Sequence, residues 1–486
     1  TWTISGNSGS DYTITGGGIG TGSNTVTLRW LTTGSKTVTV NYRNSNGCTA
    51  ASPVSSTTTV ETSYTAPIPG TIVRPTCAVP TGSVTSSGLP NTGTLLFNGP
   101  NSTNGTYNIS GTGTMTISGL VPGDYSFAIQ SNCVLVYSTV VTIQSANKWN
   151  GTSWSSGSDP TVNDILEFDA NYSLDKDING CSCKIASGAN VTIKSGRTLT
   201  VTNALNVNSG GSLTFENNAS LVQTANTVNT GNITYLRSTT PINRYDYVYW
   251  SIPVTATPGI TLHDLSPTTL ADKYQSFNPS SGWVISYNGN LVMTPGQGYI
   301  VRGPQENVSA AVFSTSFTGV PNNGDFTITP VATKWHLIGN PYPSAIDANK
   351  LINDAGVGAL YFWTHSNQPD SGIDGDATYN YDPDDYSVYT LTGSTGTSNG
   401  PPASGKIAAG QGFFFKASSG NNVVFTNSMR IAGNNNQFFK TAQDDIEKSR
   451  VWLNMKNTTG LYKQALIGYI EGATNSWDQN YDAATL

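Results

Sequence analysis

Charge is what this chain most lacks. Only 11% of its 486 residues are Asp, Glu, Lys or Arg, and 23 basic against 29 acidic side chains leave a formal net charge of −6. Nucleic-acid binding depends on clustered cations that displace counterions from phosphates, so this balance excludes it. It argues equally against an anionic membrane surface. Long apolar runs are missing too: nothing reaches the roughly eighteen residues of a membrane-spanning helix, so direct membrane insertion is not expected. His263, His336 and His365 are the only histidines, and none stands in a His-x-x-His or His-Glu-x-x-His spacing. A catalytic triad assembled in space leaves no such trace, but the chain reads as non-enzymatic. An initiator Met is absent. Thr1-Trp2-Thr3-Ile4 already reads as a strand, and both ends read as cuts through a longer polypeptide.

What is abundant points to β structure. Gly numbers 51, Tyr 23 and Trp 10, among many Thr, Ser and Asn. Such residues fill turns and half-buried strand positions rather than helices. The expected fold class is all-β: tandem β-sandwich (Ig/PKD-like) modules, a short β-solenoid-like segment and a duplicated aromatic-rich β domain. Residues 1–66 alternate with period two at Trp2/Ile4, Tyr12/Ile14, Val26/Leu28/Trp30 and Val38/Val40/Tyr42, between Gly/Ser/Asn turns, the pattern of a small sandwich. A Pro/Gly linker leads into a second small β module, 67–145, in which Pro122-Gly123 sets a turn and Tyr125/Phe127 begin an inward-facing strand. Residues 146–228 repeat a beat of two or three apolar residues followed by a Gly or Asn corner: Val191/Ile193, Leu199/Val201, Leu205/Val207, Leu213/Phe215. This predicts solenoid rungs, with a flat meander as the alternative.

Residues 229–440 contain two similar halves. Tyr249-Trp250-Ser251-Ile252-Pro253-Val254 corresponds to Leu337-Ile338-Gly339-Asn340-Pro341-Tyr342-Pro343. Gly296-Gln297-Gly298-Tyr299-Ile300-Val301-Arg302 corresponds to Gly410-Gln411-Gly412-Phe413-Phe414-Phe415-Lys416, and Ala311-Val312-Phe313 to Val423-Val424-Phe425. The order and chemistry predict a tandem duplication, with the Gly-Asn-Pro-Tyr-Pro stretch as a rigid corner. A charged linker around Asp444–Arg450 then leads to 441–486, which reads as the truncated start of a C-terminal domain.

Several of these lines resemble known families. Thr25–Trp30, Gly34–Val40 and Asn46-Gly47-Cys48 resemble PKD-like immunoglobulin-type modules of bacterial surface proteins. Cys77–Val84, the Gly119–Tyr125 turn and Cys133 resemble the small repeats of large gliding adhesins. Gly339-Asn340-Pro341-Tyr342-Pro343, Tyr361-Phe362-Trp363-Thr364, Ile407–Phe413, Asn427-Ser428-Met429-Arg430 and Leu466-Ile467-Gly468-Tyr469 resemble the C-terminal region of surface proteins exported by the Bacteroidetes type IX secretion system. That likeness covers roughly 146–486 and is closest to gliding-motility adhesins of the SprB type. It implies an extracellular, outer-membrane-attached location. It also implies the type IX translocon and a PorP/SprF-like outer-membrane protein as partners. The alternative is the non-catalytic tail of a secreted polysaccharide-degrading enzyme.

Three groups of residues carry candidate chemistry. Asp370, Asp374, Asp376, Asp382, Asp384 and Asp385 gather hard oxygens around a Gly-containing loop. Calcium takes six to eight such oxygens, which makes Asp374, Asp376, Asp382, Asp384 and Asp385 a candidate calcium site, weighed against the plainer reading of a solvated polar loop. Trp283, Tyr361, Trp363 and Tyr386 are candidates for stacking on a surface polysaccharide, against the alternative that they are core. Of the five cysteines, Cys77 and Cys133 sit near the two ends of the second module and are the expected disulfide, which fits an oxidising setting. Cys48, Cys181 and Cys183 are left unassigned, although Cys181-Ser182-Cys183 could form a local bridge.

Overall fold

The computed structural model describes residues 1–111, 113–131, 135–364, 369–373, 379–382, 385–397, 402–436, 449–456, 462–470 and 472–484. The chain is nearly all β. It forms two compact units, one of Thr1–Pro75 with Val79–Ser145 and one of Thr76–Ala78 with Ala146–Leu486.

In the first unit, Trp2–Ile4, Gly34–Val40 and Val54–Val60 form an antiparallel sheet, and Tyr12–Gly17 pairs with Val26–Trp30. Further along, Gly82–Ser87 lies between Thr114–Leu120 and Ile68–Val73, while Val141–Ile143, Gly123–Ile129, Thr92–Asn98 and Asn104–Ser110 make a four-stranded sheet. Their alternate residues, among them Val84, Leu95, Ile117, Tyr125 and Phe127, share one core.

The second unit begins as a parallel β-solenoid. One face stacks Asn147–Trp149, Ile165–Phe168, Ser182–Ile185 and Leu205–Val207. A second stacks Ile178–Gly180, Thr198–Val201 and Ser220–Gln223, and a third Asn190–Ile193, Ser212–Phe215 and Ile233–Ile242. Parallel pairing excludes the flat meander. Like residues stack from rung to rung: Leu166, Cys183 and Leu205 are in register, and so are Ile193, Phe215 and Tyr235. Gly188 and Gly210 take φ of +84° and +83° at stacked corners, where the Gly188 N–H donates to the Gly210 carbonyl at 2.9 Å. Side chains with a Cβ rarely adopt that conformation. Outside, Lys148, Glu167 and Lys184 stack as a charge ladder, with the Glu167 carboxylate 2.8 and 2.6 Å from the two ammonium groups.

The third face continues without a break. Ile233–Ile242 pairs antiparallel with Ala311–Pro321, which in turn pairs with Val254–Thr255. The ladder therefore runs from the solenoid into the module that follows.

That module holds two sheets that share a four-strand design, to which the second adds a fifth strand, Gly393–Thr395. The first has the order Tyr247–Trp250, Tyr299–Arg302, Tyr274–Asn278, Gly282–Ile285. The second has the order Trp335–Gly339, Gly412–Lys416, Leu360–Trp363, Tyr386–Thr390. Their registers match pair by pair. Trp250 opposite Tyr299 corresponds to Ile338 opposite Phe413, and Tyr249 opposite Ile300 to Leu337 opposite Phe414. Tyr274 opposite Val301 corresponds to Leu360 opposite Phe415, and Phe277 opposite Trp283 to Trp363 opposite Tyr386. A helix follows the first strand in each half, Leu262–Leu265 and Ala348–Ala355, started by the Thr261 and Asp347 side-chain caps.

The halves meet through their Gly-Gln-Gly corners in a reciprocal way. The Ser251 N–H donates to the Gly410 carbonyl at 2.8 Å, and the equivalent Gly339 N–H donates to the equivalent Gly296 carbonyl at 3.0 Å. Trp250 bridges to Gln411, and Gln297 to Ile338. A Cβ at Gly298 would lie 2.7 Å from the Ile338 oxygen, and one at Gly412 would lie 3.1 Å from the Trp250 oxygen. Glycine at both places is a consequence of this backbone contact.

The expected Cys77–Cys133 disulfide is corrected. Cys77 is bonded to Cys181, with their Cα atoms 6.0 Å apart, and Cys133 lies outside the described residues. The reason is local. Thr76–Ala78 belongs with the second unit, where Thr76 bridges to Asp164 and the Cys181 N–H donates to the Asp164 carbonyl at 2.8 Å. Asp164 thus holds both half-cystines side by side. Cys183 is buried among rung residues, with burial pushing its thiol up, and Cys48 is exposed.

Candidate functional site

The Gly-Asn-Pro-Tyr-Pro corner is a buried junction. Asn340 is fully buried, and its side-chain NH₂ donates to the carbonyls of Ser344, Ile407 and Ala408 at 2.8–3.1 Å. Its Oδ1 accepts from the Tyr342 N–H at 3.0 Å, closing a tight turn before Pro343. The Leu221 N–H donates to the Pro343 carbonyl at 2.8 Å, which ties the corner to the solenoid. Arg430 completes the junction. Its guanidinium donates to the Leu221 carbonyl at 2.6 Å, to Asn323 at 2.8 Å, to Asn427 at 3.1 Å and to Ser344 at 3.3 Å, and it sits 4.9 Å from the centre of the Tyr342 ring. These partners are neutral, and burial pushes the guanidinium down to about 9. Asn435 adds bonds from its NH₂ to the Ala219 carbonyl, Ser220 Oγ and the Tyr235 hydroxyl, while its Oδ1 accepts from the Ala409 N–H.

The aromatic candidates lie on the module's other surface. Each sheet buries one face in its own core. Val248, Trp250 and Tyr299 join the solenoid core, and Ile338, Phe362 and Phe413 a second core. The opposite faces of the two sheets meet in a third cluster, of Tyr249, Ile300, Leu337, Tyr361, Trp363 and Phe414. The rings pack edge to face, as their quadrupoles favour: Phe277 to Phe414 at 4.8 Å, Trp335 to Tyr361 at 4.8 Å and Trp363 to Tyr386 at 5.0 Å. The Tyr249 and Tyr386 hydroxyls are hydrogen-bonded to each other, and burial pushes both phenols up. Among the described residues, Trp363 Nε1 is buried without a hydrogen-bond partner.

The four candidates therefore separate. Tyr361 and Trp363 are core, at 3% and 6% exposure, and Tyr386 is half-buried. Trp283 lies on the rim, packed edge-on against Phe277 and Phe414 but 42% exposed, so part of it is open to a ligand. Tyr249, Phe277 and Phe414, which sequence reasoning passed over as ring donors, complete the cluster. Their signal was present in the strand alternation, which sets Tyr249 opposite Ile300 in one half and Leu337 opposite Phe414 in the other.

Of the acidic candidates, Asp374, Asp376 and Asp384 lie outside the described residues. Asp370 Oδ1 accepts from the Gly372 N–H at 2.6 Å, while Asp385 is fully buried with its carbonyl accepting from the Thr364 N–H and hydroxyl. The Asp385 N–H donates to the Asp382 carbonyl at 3.1 Å. Among the described residues no three His, Cys, Asp or Glu side chains converge as metal ligands. His336 Nε2 faces the Val331 N–H at 2.9 Å and the Val331 carbonyl at 3.2 Å, and its ring stacks on Phe415; burial lowers its pKa, with the Val331 carbonyl opposing. His263 lies on the short helix Leu262–Leu265, and His365 falls outside the described residues. A cleft of about 480 Å³ opens between Gly393–Thr395, the hairpin Ser449–Lys456/Tyr462–Tyr469 and the 473–484 segment. The Thr390 and Thr392 hydroxyls in its wall donate to the Tyr481 carbonyl, so they are already engaged.

A search of curated proteins finds no match to the chain. A family model described as a domain of unknown function, DUF8693, matches residues 141–486, which takes in the solenoid, the paired sheets and the C-terminal hairpin, and the chain belongs to that family.

Proposed function

We propose that this chain is a segment of a non-enzymatic cell-surface adhesin, exported by a type IX secretion system, whose β modules space and display an adhesive surface for gliding motility. The observation that carries this reading is the Cys77–Cys181 disulfide, because such bonds persist in oxidising, extracellular settings. The ladder that runs unbroken from solenoid to module adds support, since a pull on one is passed to the other through backbone hydrogen bonds. In this reading residues 1–66 are an Ig/PKD-like sandwich, 67–145 an adhesin repeat and 441–486 the start of a secretion and attachment domain. The type IX translocon and a PorP/SprF-like outer-membrane protein are its partners. The test is purification of the native protein from Bacteroidetes outer membrane. Recovery with an outer-membrane β-barrel and the translocon is the expected result, and recovery as free soluble protein overturns the reading. For the acidic loop, calcium is proposed on the sequence alone. Equal melting temperatures with calcium and with chelator would remove it.

A second reading, the non-catalytic tail of a secreted polysaccharide-degrading enzyme, is favoured by Trp283, whose half-exposed ring suits the apolar face of a sugar. A glycan array on which Trp283→Ala binds as well as the native chain rules out that role.

A further inference from the structure

The two sheets of the module share strand order and register, but they end differently. In the second half, Tyr386–Thr390 is covered by a further antiparallel strand, Gly393–Thr395, with Val388 opposite Thr395 and Thr390 opposite Gly393. In the first half the equivalent strand, Gly282–Ile285, is the last in its sheet among the described residues. Trp283, Val284 and Ile285 are 42%, 43% and 42% exposed. Proteins usually blunt such an edge with lysine, proline or a bulge. From Ser280 to Leu291 there is no charged residue and no proline, and the pairing with Tyr274–Asn278 is regular.

The direction of the free backbone groups follows from one bond. The Ser286 N–H donates inward to the Tyr274 carbonyl at 2.8 Å. Antiparallel alternation then turns Val284 and Gly282 inward as well, and the N–H and C=O groups of Trp283 and Ile285 outward. The edge thus offers two residues' worth of donors and acceptors between apolar side chains.

We propose that this edge pairs with the same edge of a second copy of the chain, antiparallel about a two-fold axis at Val284, joining two sheets into one. The register suits it. Trp283 of each copy exchanges both backbone bonds with the other copy's Ile285, and the two Val284 side chains meet on the axis. Every cross-strand pair is then apolar, with no like charges opposed. Two-fold contacts are the commonest kind between identical chains because one self-complementary patch suffices. The covered edge of the second half shows that an antiparallel strand fits at this position of the design. This inference is independent of the adhesin reading.

The test is sedimentation of the full chain from low to high micromolar concentration. A dimer that grows with concentration is expected. Val284→Lys, which sets two ammonium groups together on the axis, should weaken it by at least about tenfold without lowering the melting temperature. In a Cys48→Ser background, Val284→Cys should form an intermolecular disulfide under mild oxidation, because residues facing each other in a non-hydrogen-bonded antiparallel pair lie about 4.5 Å apart at Cα, within disulfide reach. Val228→Cys, at an 84% exposed loop position, should not. A wild-type chain that stays monomeric throughout, a dimer untouched by Val284→Lys, or equal cross-linking at 228 and 284 overturns the proposal. Binding of a foreign extended peptide to a monomeric chain would show as the first of these outcomes.

Discussion

The solenoid and the paired-sheet module sit in one compact unit but hold themselves together differently. On the solenoid's first face, the interior is a stack of like apolar residues, Leu166, Cys183 and Leu205, and the Lys148–Glu167–Lys184 ladder stands on its outer side. Each rung needs only its neighbours. At the junction with the module the interior is polar. Asn340, Arg430 and Asn435 are buried and bond backbone carbonyls from segments far apart in sequence. The difference teaches where cooperativity should lie. Stacked apolar rungs fail one at a time, whereas a buried polar network fails as a whole, because each lost member leaves others unsatisfied.

The largest expected effect breaks that network. Arg430→Ala leaves the Leu221 carbonyl and the Asn323 oxygen without their donor and opens a cavity, costing about 4 kcal/mol. Hydrogen exchange should rise on both sides of the junction, at 220–223 and at 340–344. Exchange confined to the 427–431 segment would contradict the network. Leu205→Ala is the matched lesion in the solenoid. It should cost about 2–4 kcal/mol, with faster exchange in its own rung and in Ser182–Ile185 beside it. Equal loosening at 340–344 would erase the distinction between the two regions.

Cys77→Ser should lower stability by about 2–4 kcal/mol, since the bond closes a long loop in the unfolded chain. Melting of the native protein with reductant should match the variant. The smallest effect is a pH dependence of the ladder. Burial pushes the Glu167 carboxyl up, but Lys148 and Lys184 outweigh it and hold it below its usual range. A folded value below the unfolded one means that the stabilisation is present above about pH 4.3 and is lost as pH falls through the folded value. Glu167→Gln should flatten that part of the stability curve, by less than about 1 kcal/mol for a pair of ladder contacts at the surface. An unchanged acid limb would remove the ladder from the account.

Much of this was legible beforehand. Glycine corners and alternating apolar pairs marked the rungs, because a solenoid repeats the same local demand at each turn. The two Gly-Gln-Gly-aromatic turns marked the halves whose registers match. The remainder depended on contacts that leave no local signature. Cys77 finds Cys181 because three residues of chain leave one unit for the other, and no spacing encodes that. Arg430 pairs with neutral oxygens, so no acidic residue advertises its role. The aromatic cluster was half visible: alternation tells which residues share a face, but not that both faces of a sheet are covered. Trp283 differs from Tyr361 and Trp363 only by standing on the last strand, which sequence pattern does not report.

The disulfide has a consequence for how the protein would be degraded. Cys77 and Cys181 are 104 positions apart, and everything between them, including residues 79–145 of the first unit, forms a covalently closed ring. A protease that cuts once inside this ring opens it without separating the pieces. The nicked chain would run as intact until a reductant is added, and then fall into two fragments. A molecule built this way keeps its N-terminal modules attached after a single proteolytic hit between Cys77 and Cys181.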